Sequence, residues 1–568
     1  MTRESSVDYQ YDVVVAGSGA AGMTAALTAR YKGLSVLLIE KSRFFGGSTA
    51  RSGGGIWIPN NHVLRREGVP DDPELARTYI KAVVGERVPD DRLNAYLDHG
   101  AEMLSFLTER SPYMRFLYDR GYADYYPELP GGLAQGRTIE PEPIDGNLLG
   151  RDLRLLNSSS QSLPKGVAFT ATQFHDLNMV TRTRAGKRTA LAVLGNAVRN
   201  IATKRAPLAM GKALVARLWL AMRDAGVDVW LRAPLAELTT DGAAVTGVRA
   251  ERDGQRVTVR ADRGVVLAAG GFEHNLDMRR EHLSGPVSTD WTVGSPGNTG
   301  DAIQAGKRLG AALDLMDDAW WGPCVRTPDG PPFFCVAERS QPGSLMVNDA
   351  GRRFTNEAAC YVDVVHEMYR RHGEGVGHIP AHFIMDQRFR NRYLFLGLFP
   401  RQEIPAKYYE AGIVTRADSL TELAERIGVP AETFTASVER FNRFAHQGKD
   451  EDFGRGESAY DRYYGDPTIS PNPCLAPVDQ PPFYAVEMVP GDLGTKGGLV
   501  TDELARVLDG DGTPIGGLYS AGNNSASVMG NSYAGAGATI GPAMVFGYIA
   551  ARHLAGGTRE SHGPTESG

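Results

Sequence analysis

Gly17-Ser18-Gly19-Ala20-Ala21-Gly22 follows the apolar run Val13-Val14-Val15-Ala16 and is answered by Glu40, which closes a second apolar run, Val36-Leu37-Leu38-Ile39. The order reads as a strand, a glycine-rich turn, a helix over 23–31 and a second strand ending in an acid. Such a unit holds an adenine dinucleotide. Its glycines let backbone approach a pyrophosphate at the positive end of the helix, and Glu40 accepts hydrogen bonds from the adenosine ribose hydroxyls. A GxGxxG alone is weak; the strand before it and the acid after it make the reading specific.

Gly46-Gly47-Ser48-Thr49 and Ser52-Gly53-Gly54-Gly55 come soon after the ribose acid. Small hydroxyl and glycine residues there let backbone pass along an elongated cofactor, which points to FAD rather than NAD. Arg263-Gly264-Val265-Val266-Leu267-Ala268-Ala269-Gly270-Gly271 reads as a buried strand running into a tight turn. Gly517-Leu518-Tyr519-Ser520-Ala521-Gly522-Asn523 repeats that grammar near the C-terminus. Cofactor contacts are therefore expected from both ends of the chain.

The 568 residues, 42% hydrophobic and 23% charged, fit a large soluble enzyme of two to four domains. Cys324, Cys335, Cys360 and Cys474 show no metal-ligand spacing and the twelve histidines form no HExxH, so we expect reduced thiols and no structural metal. Residues 1–8 carry Arg3, Glu4 and Asp8 and lack the apolar core of a signal peptide, which suggests a cytoplasmic protein.

Residues 513–551 contain no charge, yet their Gly, Asn, Ser and Pro content argues against a membrane span. The stretch is read as a strand, a cofactor loop and a buried helix over 542–551; the polar residues 556–568 read as a disordered tail. The segment 177–223 departs from the chain's net charge of −6, with ten Lys and Arg and no acid. Leu191, Leu194, Val198 and Ile201 recur among those cations at helical spacing. Either this helix lies on an anionic membrane, placing the protein peripherally on the inner face of the plasma membrane, or it is a solvated basic element over the cofactor domain. No aromatic residue interleaves the cations before Trp219, so no nucleic-acid partner is expected.

Tyrosines stand out where His, Cys or paired carboxylates do not. Three contexts matter: Asp124-Tyr125-Tyr126-Pro127-Glu128, Asn356-Glu357-Ala358-Ala359-Cys360-Tyr361 and Asn531-Ser532-Tyr533-Ala534-Gly535-Ala536-Gly537-Ala538-Thr539-Ile540-Gly541. With Asp492-Leu493-Gly494-Thr495-Lys496-Gly497-Gly498 and the flavin motifs, they resemble the 3-ketosteroid Δ1-dehydrogenases over about 11–551. The resemblance implies an α/β protein in which a Rossmann-like FAD-binding domain (8–295 and 490–555) is interrupted by an α+β, fumarate reductase-like catalytic domain (296–489). The implied FAD is non-covalent, with no His or Cys placed for attachment beside the Gly46 or Ser52 segments. Its expected contacts are Gly17, Ser18, Gly19, Ala20, Ala21, Gly22, Glu40, Lys41, Gly46, Gly47, Ser48, Thr49, Ser52, Gly53, Gly54, Ala269, Gly270, Gly271, Asn298, Asp301, Gly522, Asn523, Gly537, Ala538, Thr539 and Ile540.

Carried over by motif, Tyr361 resembles the base that removes the C2 proton of a 3-ketosteroid, and Tyr125 the partner that eases its ionisation. Tyr533 and the Gly537 backbone N–H resemble the pair that binds the C3 oxygen. The chemistry agrees, because two donors on that oxygen stabilise the enolate charge that forms as C2 loses its proton. C1 then releases a hydride to flavin N5. With a reference pKa of about 10, only about one tyrosine in a thousand is ionised at pH 7, so a lowered pKa or an alkaline optimum is expected. An external electron acceptor, a quinone or another carrier, must take the electrons onward. Phe333, Phe334, Phe354, Trp320 and Trp321 read mostly as core.

Three rivals stay open at this stage. A fumarate reductase-like enzyme would need arginines for carboxylates, and Arg352 and Arg353 precede the Asn356 segment. A 3-ketosteroid Δ4-(5α)-dehydrogenase would unsaturate C4–C5. A non-catalytic sterol-binding flavoprotein would bind steroid without flavin reduction.

Overall fold

A computed structural model describes residues 7–158, 163–242 and 244–556; most of the expected tail, 557–568, lies outside them. The strand Tyr9–Ala16 runs parallel between Val36–Glu40 and Gln255–Leu267, with Val14 opposite Leu37 on one side and Val265 on the other. Both faces of this strand are covered, which is why it reads as an unbroken apolar run. Asp228–Leu231 extends the sheet beyond Val36–Glu40. On the other side Pro514–Ser520, from near the C-terminus, pairs parallel with Val265–Leu267. One eight-stranded sheet thus joins both ends of the chain.

The helix Ala20–Tyr31 begins directly after the glycine turn and is buried from Ala20 to Ala29. Its small residues let the helix Ile540–Gly556 pack closely: a Cβ on Gly547 would sit 2.5 Å from the Ala21 carbonyl oxygen. That second helix is longer at both ends than the charge-free stretch suggested. Arg552 pairs with Glu102 and extends the helix past the last uncharged residue.

A second sheet has six strands, all antiparallel, with Phe483–Thr495 between Ala319–Thr327 and Ala381–Asp386. The helix Tyr361–His372 packs on Ala319–Thr327. Cys324, Cys335, Cys360 and Cys474 are buried and unpaired, and among the described residues no group of three or more His, Cys, Asp or Glu could hold a metal ion. No helix among them is long and apolar enough to cross a membrane.

The basic segment divides into parts with different fates. Its distal part is the helix Met210–Ala225, almost wholly buried, where Arg217 donates to the carbonyls of Tyr113, Glu142 and Pro143. Arg182 pairs with Asp466 at 2.7 Å. The surface part is the helix Arg184–Ala202, seated through Gly186, Val193 and Ala197. Leu191, Leu194, Val198 and Ile201 are 70%, 62%, 61% and 52% exposed, so the apolar stripe seen in the sequence faces outward.

Candidate active site

Tyr361 is the first residue of its helix, and the turn before it is fixed by buried charge. Glu357 receives Arg353 Nε and Nη2, each at 2.8 Å, and Arg455 Nη1 at 3.0 Å. Arg353 also grips Asp450. Tyr125 follows Asp124, whose carboxylate accepts from Trp57 Nε1 at 2.8 Å and from the buried Arg137. The Tyr125 N–H donates to the Ala534 carbonyl at 3.1 Å, tying it to the loop that carries Tyr533 and Gly537.

These ties bring three tyrosine rings together. Tyr361 and Tyr125 hydroxyls lie 3.0 Å apart. Ring centroids are separated by 5.5 Å for Tyr125–Tyr361, 5.6 Å for Tyr361–Tyr533 and 5.1 Å for Tyr125–Tyr533. Phe334 packs edge-on against Tyr361 at 5.3 Å. Gly537 has φ +91°, and a Cβ there would fall 2.2 Å from Gly55 backbone, so only glycine brings this N–H beside the Tyr533 hydroxyl.

Burial pushes Tyr361 and Tyr125 well above the ordinary phenol value, and neighbouring tyrosines add to it; for Tyr361 the hydrogen bond with Tyr125 acts in the opposite direction. Burial also raises Tyr533, partly offset by its contacts with Thr539, Tyr361 and the Gly537 N–H. Of the two remedies expected from sequence, a lowered pKa is absent from this arrangement, because desolvation of three buried phenols outweighs their mutual hydrogen bonds.

Tyr361, Tyr125, Tyr533 and Gly537 line one cavity of about 810 Å³ with most of the dinucleotide motif. Gly17 (φ +112°) has no room for a side chain against Ala268, and the helix behind it starts at Gly19 with no side-chain cap. Ala20 and Ala21 of its first turn line the cavity, so the positive end of the helix faces the place a pyrophosphate requires. Glu40 Oε2 accepts from Ser18 N–H (3.0 Å) and Ser18 Oγ (2.6 Å), and Oε1 from Ser42 N–H (2.8 Å). Thr49 Oγ1 receives the Ala20 N–H, while Ser48 Oγ receives Asn298 Nδ2 and Ser295 N–H. Lys41 pairs with Asp301 at 2.5 Å. The donor-rich, glycine-walled trough fits FAD.

Gly19, Ala20, Ala21, Gly47, Ser52, Gly53, Gly54, Ala269, Gly270, Gly522, Asn523, Thr539 and Ile540 also line the cavity. Gly22, Gly46, Gly271 and Ala538 do not; they act behind it. A Cβ on Gly22 would meet the Gly17 carbonyl at 1.9 Å, one on Gly46 would meet Val215, and one on Gly271 would meet Thr495, while Ala538 is fully buried. Neither His nor Cys is among the described lining residues. Phe334 is the one member of the five sequence-noted aromatics that lines the cavity. Asp119, Tyr122, Phe174, Lys212 and Tyr464 line it too. None of these is among the site residues expected from sequence: Tyr122 lies just before the run 124–128, whose nearness could have pointed to it, Lys212 is marked only as a cation of the basic segment, and the others carry no motif.

A nucleotide-binding sheet with a parallel centre, a glycine-walled trough and a cavity ending in convergent donors define a flavoprotein oxidoreductase, and a family profile described as FAD binding domain matches residues 12–540. FAD is its cofactor. The chain is 50% identical over 555 residues to a 3-oxosteroid 1-dehydrogenase of Mycolicibacterium smegmatis, covering 96% of this chain and 97% of the relative. It is 40% identical to a 4-oxocyclohexanecarboxylate 2-dehydrogenase of Sinomonas cyclohexanicum, covering 96% and 93%. The crystal structure of 3-ketosteroid Δ1-dehydrogenase from Sterolibacterium denitrificans, in complex with 1,4-androstadiene-3,17-dione, superposes with a TM-score of 0.91 at 41% identity, covering 96% of this chain and 99% of that one. The chain belongs to the 3-oxosteroid 1-dehydrogenase family.

Proposed function

We propose that the protein introduces the C1–C2 double bond into 3-ketosteroids. The observation that carries this reading is the convergence of Tyr361, Tyr125, Tyr533 and the Gly537 N–H at one end of the FAD cavity. Tyr533 and Gly537 bind the C3 carbonyl oxygen, and the donors strengthen as negative charge grows there. Tyr361 takes the C2 proton, with Tyr125 holding its hydroxyl in line. Bound FAD supplies the hydride acceptor. Residues 296–489 form the substrate-side domain, inserted between the two halves that hold the cofactor. Against a dicarboxylate substrate, Arg353 is spent on Glu357 and Asp450 and does not line the cavity.

Anaerobic mixing of the holoenzyme with 4-androstene-3,17-dione tests the reading. Bleaching of the flavin band with formation of the 1,4-diene supports it; an unbleached flavin contradicts it.

The helix Arg184–Ala202 supports a peripheral membrane contact. Its four outward aliphatic side chains are flanked by exposed Arg184, Lys187, Arg188, Arg199, Lys204 and Arg205, a pattern suited to an anionic lipid surface. The loop 163–169 lines the cavity and is fastened to this helix by Asn200 Nδ2 on the Gly166 carbonyl at 3.0 Å. Substrate dissolved in lipid would then enter beside the docked helix. Leu191→Asp with Leu194→Asp should abolish cosedimentation with phosphatidylglycerol vesicles at low salt and leave turnover of dissolved steroid intact. Equal cosedimentation of this variant, or none by the wild type, contradicts the contact.

A further inference from the structure

The proposed base is buried among phenols, and nothing in the reaction removes the proton it collects. Tyr361 touches Tyr125 at 3.0 Å, and Tyr125 touches Tyr122 at 3.4 Å, hydroxyl to hydroxyl. Tyr122 interacts in turn with the Tyr464 hydroxyl, and its ring lies flat on Tyr463 at 4.5 Å. Tyr463 and Tyr464 meet edge-on at 4.8 Å, and the Tyr463 hydroxyl interacts with the carboxyl group of Asp119. Asp119 is 1% exposed, also accepts from Thr172 Oγ1 at 3.2 Å, and lines the wall of the cavity. A line of hydroxyls thus leads from the reacting end of the cavity to Tyr464, which shares the cavity wall with the buried Asp119 carboxyl group.

We propose that Asp119 is the terminal acceptor of a proton relay that runs from Tyr361 through Tyr125, Tyr122 and Tyr464, with a cavity water carrying the proton across the wall from Tyr464 to Asp119. The inference rests on the dehydrogenase reading above. The C2–H bond breaks and its proton joins the Tyr361 oxygen while the phenolic proton of Tyr361 passes to Tyr125. Each hydroxyl along the line gains one proton and gives one up, and the last proton neutralises the Asp119 carboxylate. Asp119 then releases that proton to water in the cavity mouth, so one proton leaves per steroid oxidised and every tyrosine is restored.

This arrangement removes the difficulty posed by the buried base. Tyr361 need never stand as a free phenolate, because its own proton leaves as the C2 proton arrives. An ordinary carboxylate, near pKa 4, would be a poor partner for phenols that are held above their ordinary value by burial. Burial, assisted by Glu140, pushes Asp119 up to about 8, which narrows that gap. The groups facing Asp119 are Glu140 from the strand Thr138–Pro141, Thr172 from the helix Ala171–Asn178, Tyr463 and Tyr464 from the end of the helix Ala459–Tyr463, and Tyr122 from its own loop, while His175 and Asp176 of the helix Ala171–Asn178 face Tyr463. Glu140 accepts the Ala171 N–H at 2.8 Å and also sits above the ordinary carboxylate value through burial. Both carboxyls lie at the positive end of one helix, and of the two only Asp119 lines the cavity that holds Tyr464, Tyr122 and the base.

The test is anaerobic stopped-flow reduction of the flavin by 4-androstene-3,17-dione between pH 6 and pH 10, with steroid affinity measured by titration. In the wild type the reduction rate should rise with pH through a midpoint near 8, as Asp119 becomes free to accept. Asp119→Asn keeps the shape and the Thr172 contact but cannot accept a proton; Tyr122→Phe keeps the ring stack and removes one hydroxyl from the line. Each should reduce at least about tenfold more slowly above pH 8 and lose the midpoint, with steroid affinity unchanged and partial rescue by Asp119→Glu. Wild-type rates and an unaltered pH profile in both variants would overturn the relay alone. A wild-type flavin that steroid does not reduce at any pH would overturn the dehydrogenase reading, and the relay with it.

Discussion

At the residue scale the site depends on groups that do one thing each and have little freedom to do it elsewhere. Gly537 combines a positive φ with a 2.2 Å approach to Gly55 backbone. Alanine there carries a left-handed penalty of about 1–2 kcal/mol and must also push two backbone segments apart. Gly537→Ala should therefore lower turnover by about 10²–10³-fold, the usual cost of losing one oxyanion donor. Steady-state kinetics on variant protein that retains FAD checks this, and turnover within twofold of wild type would remove Gly537 from the carbonyl site. The tyrosine positions were singled out only through the resemblance of their surrounding motifs to the 3-ketosteroid Δ1-dehydrogenases, since nothing in the residues alone sets three of 22 tyrosines apart. Asp119 was not singled out, since an acid in an ordinary loop becomes unusual only when the fold buries it beside Glu140.

At the element scale the start of the helix Tyr361–His372 is held by charge rather than by capping, for Cys360 makes no side-chain cap. Burial pushes the Glu357 carboxyl up, but Arg353 and Arg455 outweigh it and hold it below its ordinary value. A depressed carboxyl contributes stability that is complete above the unfolded value of about 4.5 and is lost as pH falls through the folded one. Glu357→Gln leaves two buried arginines short of a counter-charge and should cost about 3–5 kcal/mol, seen as a lower Tm at pH 7 and a smaller loss of Tm on acidification from pH 6 to pH 4. An unchanged Tm would show that the network does not support the helix. The basic segment illustrates what periodicity leaves open. Spacing marked Leu191, Leu194, Val198 and Ile201 as one face, yet only the packing of Gly186, Val193 and Ala197 against the body decides that this face turns outward.

At the scale of the whole molecule, the chain leaves the nucleotide-binding sheet, builds the six-stranded sheet, and returns to add Pro514–Ser520 beside Gln255–Leu267. The repeated strand-to-glycine grammar at 263–271 and 517–523 made that return readable, because parallel buried strands need apolar runs and tight exits. The cavity wall was less readable: Phe174, Tyr464 and Asp119 come from separate elements and share no sequence signature. The molecule brings the ends of the chain together around FAD, and at one end of that cavity Tyr125 and Tyr533 meet Tyr361 from the helix on the six-stranded sheet. The central claim is that Tyr361 takes the C2 proton, and the most direct measurement is single-turnover flavin reduction by 4-androstene-3,17-dione in Tyr361→Phe. With FAD content and steroid affinity as in the wild type, the rate should fall by about 10²–10⁴-fold. Reduction at the wild-type rate would contradict the assignment of Tyr361 as the base.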